Sequence, residues 1–137
     1  MSKKKDRRAE RKAERARQEQ AAVSLAQYGP DDKTVTKVVA GLMPAGAKKV
    51  TALKRWVGQD ITQSPKFREE LIDFIKSHGV HRLIFTAGVI GCIHEEGQDY
   101  PVGQECPFCP FWHGRDRWAN ARPVYMTLGQ LRDNPPW

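Results

Sequence analysis

Hydrophobic and polar positions divide this chain into a front with almost no apolar face and a body with several. Residues 3 to about 28 contain no Gly or Pro and are rich in Ala, Arg, Lys, Glu and Gln, a composition that predicts a helix ended by Gly29-Pro30. Its early apolar positions are only Ala9, Ala13 and Ala16, too small a stripe to bind a helix to a core. Apolar character begins with Val23, Leu25, Ala26 and Tyr28. Thr34 to Ala40 is β-branched and predicts a strand, and Gly41 to Ala47, with Pro44 and Gly46, predicts a loop. Val50 to Val57 fits two periods. Alternation puts Val50, Ala52 and Trp56 on one strand face, whereas helical spacing groups Val50, Leu53 and Val57. Its short length and the following Gly58 favour a strand.

The next segment has the clearest helical period. Ser64 is placed to cap and Pro65 to occupy the first turn. Phe67, Leu71, Phe74 and Ile75 then share one face, and Gly79 marks the stop. Val80 to Ala87 predicts a strand whose Leu83-Ile84-Phe85 run suggests burial on both faces. Strand, helix and strand with short joints form a βαβ unit. Pro123 to Leu128 predicts a short edge strand, and Leu131 to Trp137 has no regular pattern. The expected fold is therefore α/β (α+β): a small mixed three- to four-stranded sheet with one crossover helix, a C-terminal zinc knuckle and an N-terminal basic helix. The expected organisation is a basic helical arm over residues 1–28 and a single small domain over residues 29–137.

The knuckle expectation comes from cysteine usage. All three cysteines and two of the four histidines of this 137-residue chain lie between Cys92 and His113. Cys92-Ile93-His94 and Cys106-Pro107-Phe108-Cys109 are turn-borne pairs of the kind that close around a tetrahedral ion. Eleven polar-rich residues, 95–105, join them. The preferred Zn2+ ligands are Cys92, His94, Cys106 and Cys109, with His113 as the alternative to His94. Three cysteines cannot pair off within one chain, and the charged N-terminus has no apolar signal core. A reducing, cytoplasmic setting is expected, where clustered cysteines are metal ligands. No apolar run reaches the ~20 residues needed to span a membrane. A core of this size gains from a metal staple, since only 39% of the residues are hydrophobic and 28% are charged.

Charge adds a second expectation. The net charge is +7, and residues 1–20 hold nine Lys or Arg against four Asp or Glu, while the remaining residues hold fourteen against twelve. On a helix turning ~100° per residue, Lys4, Arg7, Arg8, Arg11, Lys12 and Arg15 fall within an arc of roughly 140°. A one-sided cation stripe suits nucleic acid, including ribosomal RNA, although a solvated tail is the simpler use of such a segment. After the cysteines, Arg115, Arg117 and Trp118 combine guanidinium groups with an aromatic ring that could stack on unpaired bases. Phe108, Phe111 and Trp112 are expected to cover the metal site.

Catalytic readings are weaker. Cys106-Pro107-Phe108-Cys109 is similar to the redox turn of glutaredoxin-like proteins, a resemblance that implies thiol–disulfide chemistry. It covers four residues, and no buried strand leads into Cys106 as that turn requires. His94-Glu95-Glu96 could set a general base beside a metal, but three cysteines favour a closed site. Phosphate-cradling glycine loops are absent from the sequence, and no small-molecule substrate is indicated. The reading is an accessory binding protein, leaning away from an enzyme, with nucleic acid or the ribosome as partner. The alternative is a zinc-stabilised adaptor for a partner protein, and less directly a small thiol-redox or metal-dependent enzyme.

Overall fold

The fold was analysed in a computed structural model, which describes residues 7–9, 11, 21–46, 49–115 and 121–137. Five strands form one mixed sheet: β1 (Ala22–Tyr28), β2 (Lys37–Met43), β3 (Leu53–Val57), β4 (Arg82–Val89) and β5 (Arg122–Thr127), in the spatial order β3-β2-β1-β4-β5. The chain's first strand is thus the middle of the sheet. It pairs antiparallel with β2 and parallel with β4. Helix α1 (Pro65–Ser77) connects β3 to β4, and helix α2 (Leu128–Asp133) follows β5.

Strand β1 overturns the helical reading of residues 22–28, and it brings the strand count above the three or four expected. Val23, Leu25 and Gln27 are buried on one face while Ser24, Ala26 and Tyr28 are half-buried on the other. Ala, Leu and Gln favour helices in isolation. Here a ladder on both sides outweighs a preference worth only tenths of a kcal/mol per residue. Of the arm, Arg7, Arg8 and Arg11 are helical and exposed. Lys4, Lys12 and Arg15 lie outside the described residues.

Strand β2 starts later than Thr34 and runs through Gly41 to Met43, so the loop reading of Gly41 was wrong. A Cβ at Gly41 would lie 2.2 Å from Val50 Cγ1. This glycine gives up its side chain to let Val50 cover the strand and does not break it. The βαβ unit also needs correction: β3 sits on the sheet edge beyond β2, and β4 joins β1. Helix α1 therefore carries the chain past two intervening strands. Residues Leu128–Asp133 form α2, so Leu128 begins a helix instead of ending the expected strand and the start of the tail from Leu131 is regular; Thr127 and Gln130 exchange the reciprocal bonds of a capping box.

The first turn of α1 follows its sequence signals. The Ser64 hydroxyl accepts the Phe67 N–H at 3.3 Å, Pro65 starts the helix, and Gly79 adopts φ 65° just beyond it. Phe67, Leu71 and Ile75 are fully buried against Val23, Leu25, Val38 and Phe85. Trp56 meets Phe67 edge-on at 5.1 Å, and Trp137 lies 5.3 Å from Phe67 and 6.2 Å from Phe85. The helices cover this face only. On the other, Ile84 is half-buried and Leu53, Val57 and Tyr125 are exposed, so the continuous run in β4 did not mark burial on both sides. Among the described residues no helix is long and apolar enough to cross a membrane.

Phe67 sits where helix, sheet and C-terminal tail meet. Phe67→Ala is expected to cost about 3–5 kcal/mol, as for other fully buried aromatics. Tyr125→Ala, at a side chain 67% exposed, should change stability by no more than about 0.5 kcal/mol. Urea unfolding followed by tryptophan fluorescence measures both.

Candidate metal centre

Strand β4 continues beside β1 beyond its last ladder residue. Ile90 N–H donates to the Gln27 carbonyl at 3.0 Å, and Gly29 N–H donates to the Gly91 carbonyl at 2.9 Å. These two bonds carry the chain to Cys92 at the rim of the sheet. The second turn is fixed to the same place, because Trp112 Nε1 donates to the Gly29 carbonyl at 2.9 Å within the interior. Gly29 has no room for a side chain, as a Cβ there would lie 1.6 Å from the Thr34 carbonyl oxygen. The strand end, the β1–β2 turn and the cysteine loop therefore converge on one glycine.

A small apolar cluster separate from the main core surrounds this point. It contains Val89, Cys92, Tyr100, Cys106 and Trp112, with Val35 and Phe111 at its margin. Within it the ligand atoms of Cys92, His94, Cys106 and Cys109 all lie within 4.8 Å of one another. His94 Nδ1 is 3.4 Å from Cys106 Sγ and 3.3 Å from Cys109 Sγ. Zinc bonds of about 2.0–2.3 Å, opened to tetrahedral angles, give ligand–ligand edges of about 3.5–3.8 Å. The cluster is close to that size, and its donors are the thiolate and imidazole set that a metal ion such as zinc takes. The four residues can bind a metal.

His113 is not part of the cluster. Its Nε2 lies 2.6 Å from the Cys106 carbonyl, so it braces the backbone of a ligand residue and does not replace His94. Phe108 sets its ring 5.0 Å from that of His94 yet is 61% exposed; it shields one side of the imidazole and still faces solvent. Trp112 is buried as expected of a covering residue. Arg115 lies over Phe111, its guanidinium carbon 3.9 Å from the ring centre and its Nε bonded to the Phe111 carbonyl. Its closest contacts are therefore within its own turn. Arg117 and Trp118 lie outside the described residues.

Sequence reasoning missed the grouping of Lys37, Arg55 and Glu95. Lys37 was taken only as part of a strand, and Glu95 as a general base beside a metal or, more simply, as part of a solvated loop. Lys37 is buried, and its Nζ donates to the Ile93 carbonyl at 2.8 Å and to Glu95 Oε1 at 3.0 Å. Arg55 grips both oxygens of the same carboxylate. The hydrogen bonds from Arg55, with those from Lys37 behind them, hold the Glu95 carboxyl below the usual carboxylate range. The sequence carries no local signal for this group, because Lys37 and Glu95 are 58 positions apart. Beside this group is a cavity of about 300 Å³ lined by Tyr28, Val39, Leu53 and His94 among others.

No known protein family, no curated protein and no solved structure matches this chain.

Without an ion the thiols of Cys92 and Cys109 are biased toward the protonated form. Burial, opposed in part by a hydrogen bond with the His94 backbone, pushes the Cys92 thiol up. Burial, followed by the charges of Cys92 and Cys106, pushes Cys109 up to about 12. A metal must therefore displace these protons. Uptake near neutral pH should release about three protons per ion, one per cysteine, and affinity should fall as pH falls. Calorimetry in buffers of differing ionisation enthalpy counts the released protons.

Proposed function

We propose that the protein is a binding protein whose C-terminal part is held by one structural zinc ion and whose basic front segment contacts nucleic acid, RNA or the ribosome in the cytoplasm. The observation that carries the metal half is the convergence of Cys92, His94, Cys106 and Cys109. Four protein ligands complete a tetrahedron and leave no position for a substrate, which is the arrangement of structural sites. The same closure speaks against metal-dependent hydrolysis. A Cys106–Cys109 redox pair is disfavoured as well, since both sulfurs lie on the imidazole that would share their ion.

The nucleic-acid half is supported by charge distribution. Most of the excess cation is confined to the first twenty residues, and Arg7, Arg8 and Arg11 are exposed. The knuckle cannot share this task readily. Residues 92–115 carry Glu95, Glu96, Asp99 and Glu105 against the single Arg115. That acidic surface, with Phe108 61% and Val102 78% exposed, supports the second reading, an adaptor whose zinc-bearing face meets a partner protein.

Chelation should unfold the segment from Cys92 to Arg115 and leave the α1–sheet core in place, since the two clusters share no buried member and meet at the half-buried Val35. Structural zinc of this kind supplies on the order of 10 kcal/mol. Hydrogen exchange with and without chelator reads the loss, and Cys106→Ala should reproduce it with zinc content falling to zero. Protection that survives metal removal would count against the structural role.

Binding to a single-stranded RNA probe should weaken steeply with salt, because each neutralised phosphate releases counterions. Deletion of residues 1–20 should flatten that slope. An unchanged slope would leave the adaptor as the better reading, and capture of a partner protein after nuclease treatment would then identify it.

A further inference from the structure

The reading of the four-ligand cluster as a zinc site leaves one group unexplained: a buried lysine that the ligands do not need for their geometry. Lys37 is 6% exposed. Burying an ammonium is costly unless its charge is met nearby. Its carboxylate partner does not meet that charge alone, because Glu95 is shared with Arg55. Within this hydrogen-bonded group two cations share one anion, while the other acids of the loop nearby, Glu96 and Asp99, are exposed to solvent. The zinc site has a surplus of the opposite sign. Three thiolates, a neutral imidazole and a divalent ion leave one negative charge. The two groups are contiguous, since Lys37 Nζ bonds to the carbonyl of Ile93, the residue between ligands Cys92 and His94.

We propose that Lys37 is the counter-charge of the zinc–trithiolate site and a determinant of its metal affinity. The inference rests on the zinc reading and deepens it. Lys37 is a positioning residue and touches no ligand atom in this assignment. Its ammonium is a buried positive charge held 2.8 Å from the carbonyl of the residue between two ligands, beside a site that carries net negative charge once it is loaded. The same arrangement accounts for the burial of a cation at the end of a strand whose neighbours, Val38 and Ala40, are fully buried.

The test uses the full chain loaded with zinc, with affinity measured by competition against a chromophoric chelator. Lys37→Met keeps the length of the side chain and removes its charge. It should raise the zinc dissociation constant about 10–100-fold, the usual effect of losing a group that supports metal ligands. Lys37→Arg should restore most of the affinity. The double variant Arg55→Gln/Glu95→Gln removes one charge of each sign and keeps the net charge of the group, so its affinity should stay near that of the parent chain. Cobalt substituted for zinc should give unchanged tetrahedral absorption bands in Lys37→Met, showing that the ligand set is intact. Equal affinity in Lys37→Met and the parent chain would overturn the proposal. A loss in the double variant as large as in Lys37→Met would also overturn it, since clamping and not charge would then be responsible. Should Lys37→Met fail to fold, Glu95→Gln gives an independent answer: the added positive surplus should tighten binding, and weaker binding would refute the role. A parent chain that takes up no zinc would instead refute the zinc reading itself.

Discussion

The parallel pairing of β1 with β4 is the constraint on which the other features depend. It places the first strand at the sheet centre and runs on past the ladder through Ile90 and Gly91. That extension puts Cys92 at the sheet rim and brings the carbonyl of Gly29 under the indole of Trp112. The metal cluster needs four side chains from two loops to meet within a few ångströms. Backbone hydrogen bonds bring one loop to the right place, and a buried indole bond brings the other. A metal ion would close this arrangement and hold the two loops together.

Much of the site was legible because its chemistry is local. Cys-x-His and Cys-x-x-Cys fix pairs of ligands within a single turn, and only their meeting depends on the fold. The preference for His94 over His113 could be stated from the sequence, but the reason for it is three-dimensional: His113 points at the Cys106 carbonyl. Helix α1 was legible for the same reason, since its cap, first-turn proline and apolar face all lie within sixteen residues. Strand β1 was not. Its alternation of Val23, Leu25 and Gln27 is brief and follows a long helix-favouring segment, and the partners that make it a strand lie far along the chain. Gly41 misled because its neighbour Val50 could not be seen to need the space. The Lys37–Glu95–Arg55 group joins residues up to 58 positions apart, beyond the reach of any local pattern.

Charge separates the molecule into regions of different sign. The front of the chain is cationic, the knuckle is acidic, and the buried ammonium of Lys37 is held against the loop between Cys92 and His94. An acidic knuckle beside a basic front segment discourages both from serving the same polyanion. It also weakens a stacking role for Arg115, which already lies on Phe111. The apolar side chains that remain in solvent at the knuckle, Phe108 and Val102, suit a surface of mixed character.

The position of β1 also sets an order of events as the chain acquires its shape. The first three strands are consecutive neighbours joined by the loops 29–36 and 44–52, so their pairings are the more local ones. The partner on the other side of β1 lies some sixty residues downstream, with Ala22 opposite Arg82. Contacts across such a separation form late and slowly. Until β4 is in place, β1 presents an open edge that invites pairing with other chains. The cysteines, which depend on that same strand, come together last. Metal capture is thereby coupled to completion of the sheet, so an ion held by all four ligands marks a chain whose central pairing has already been made.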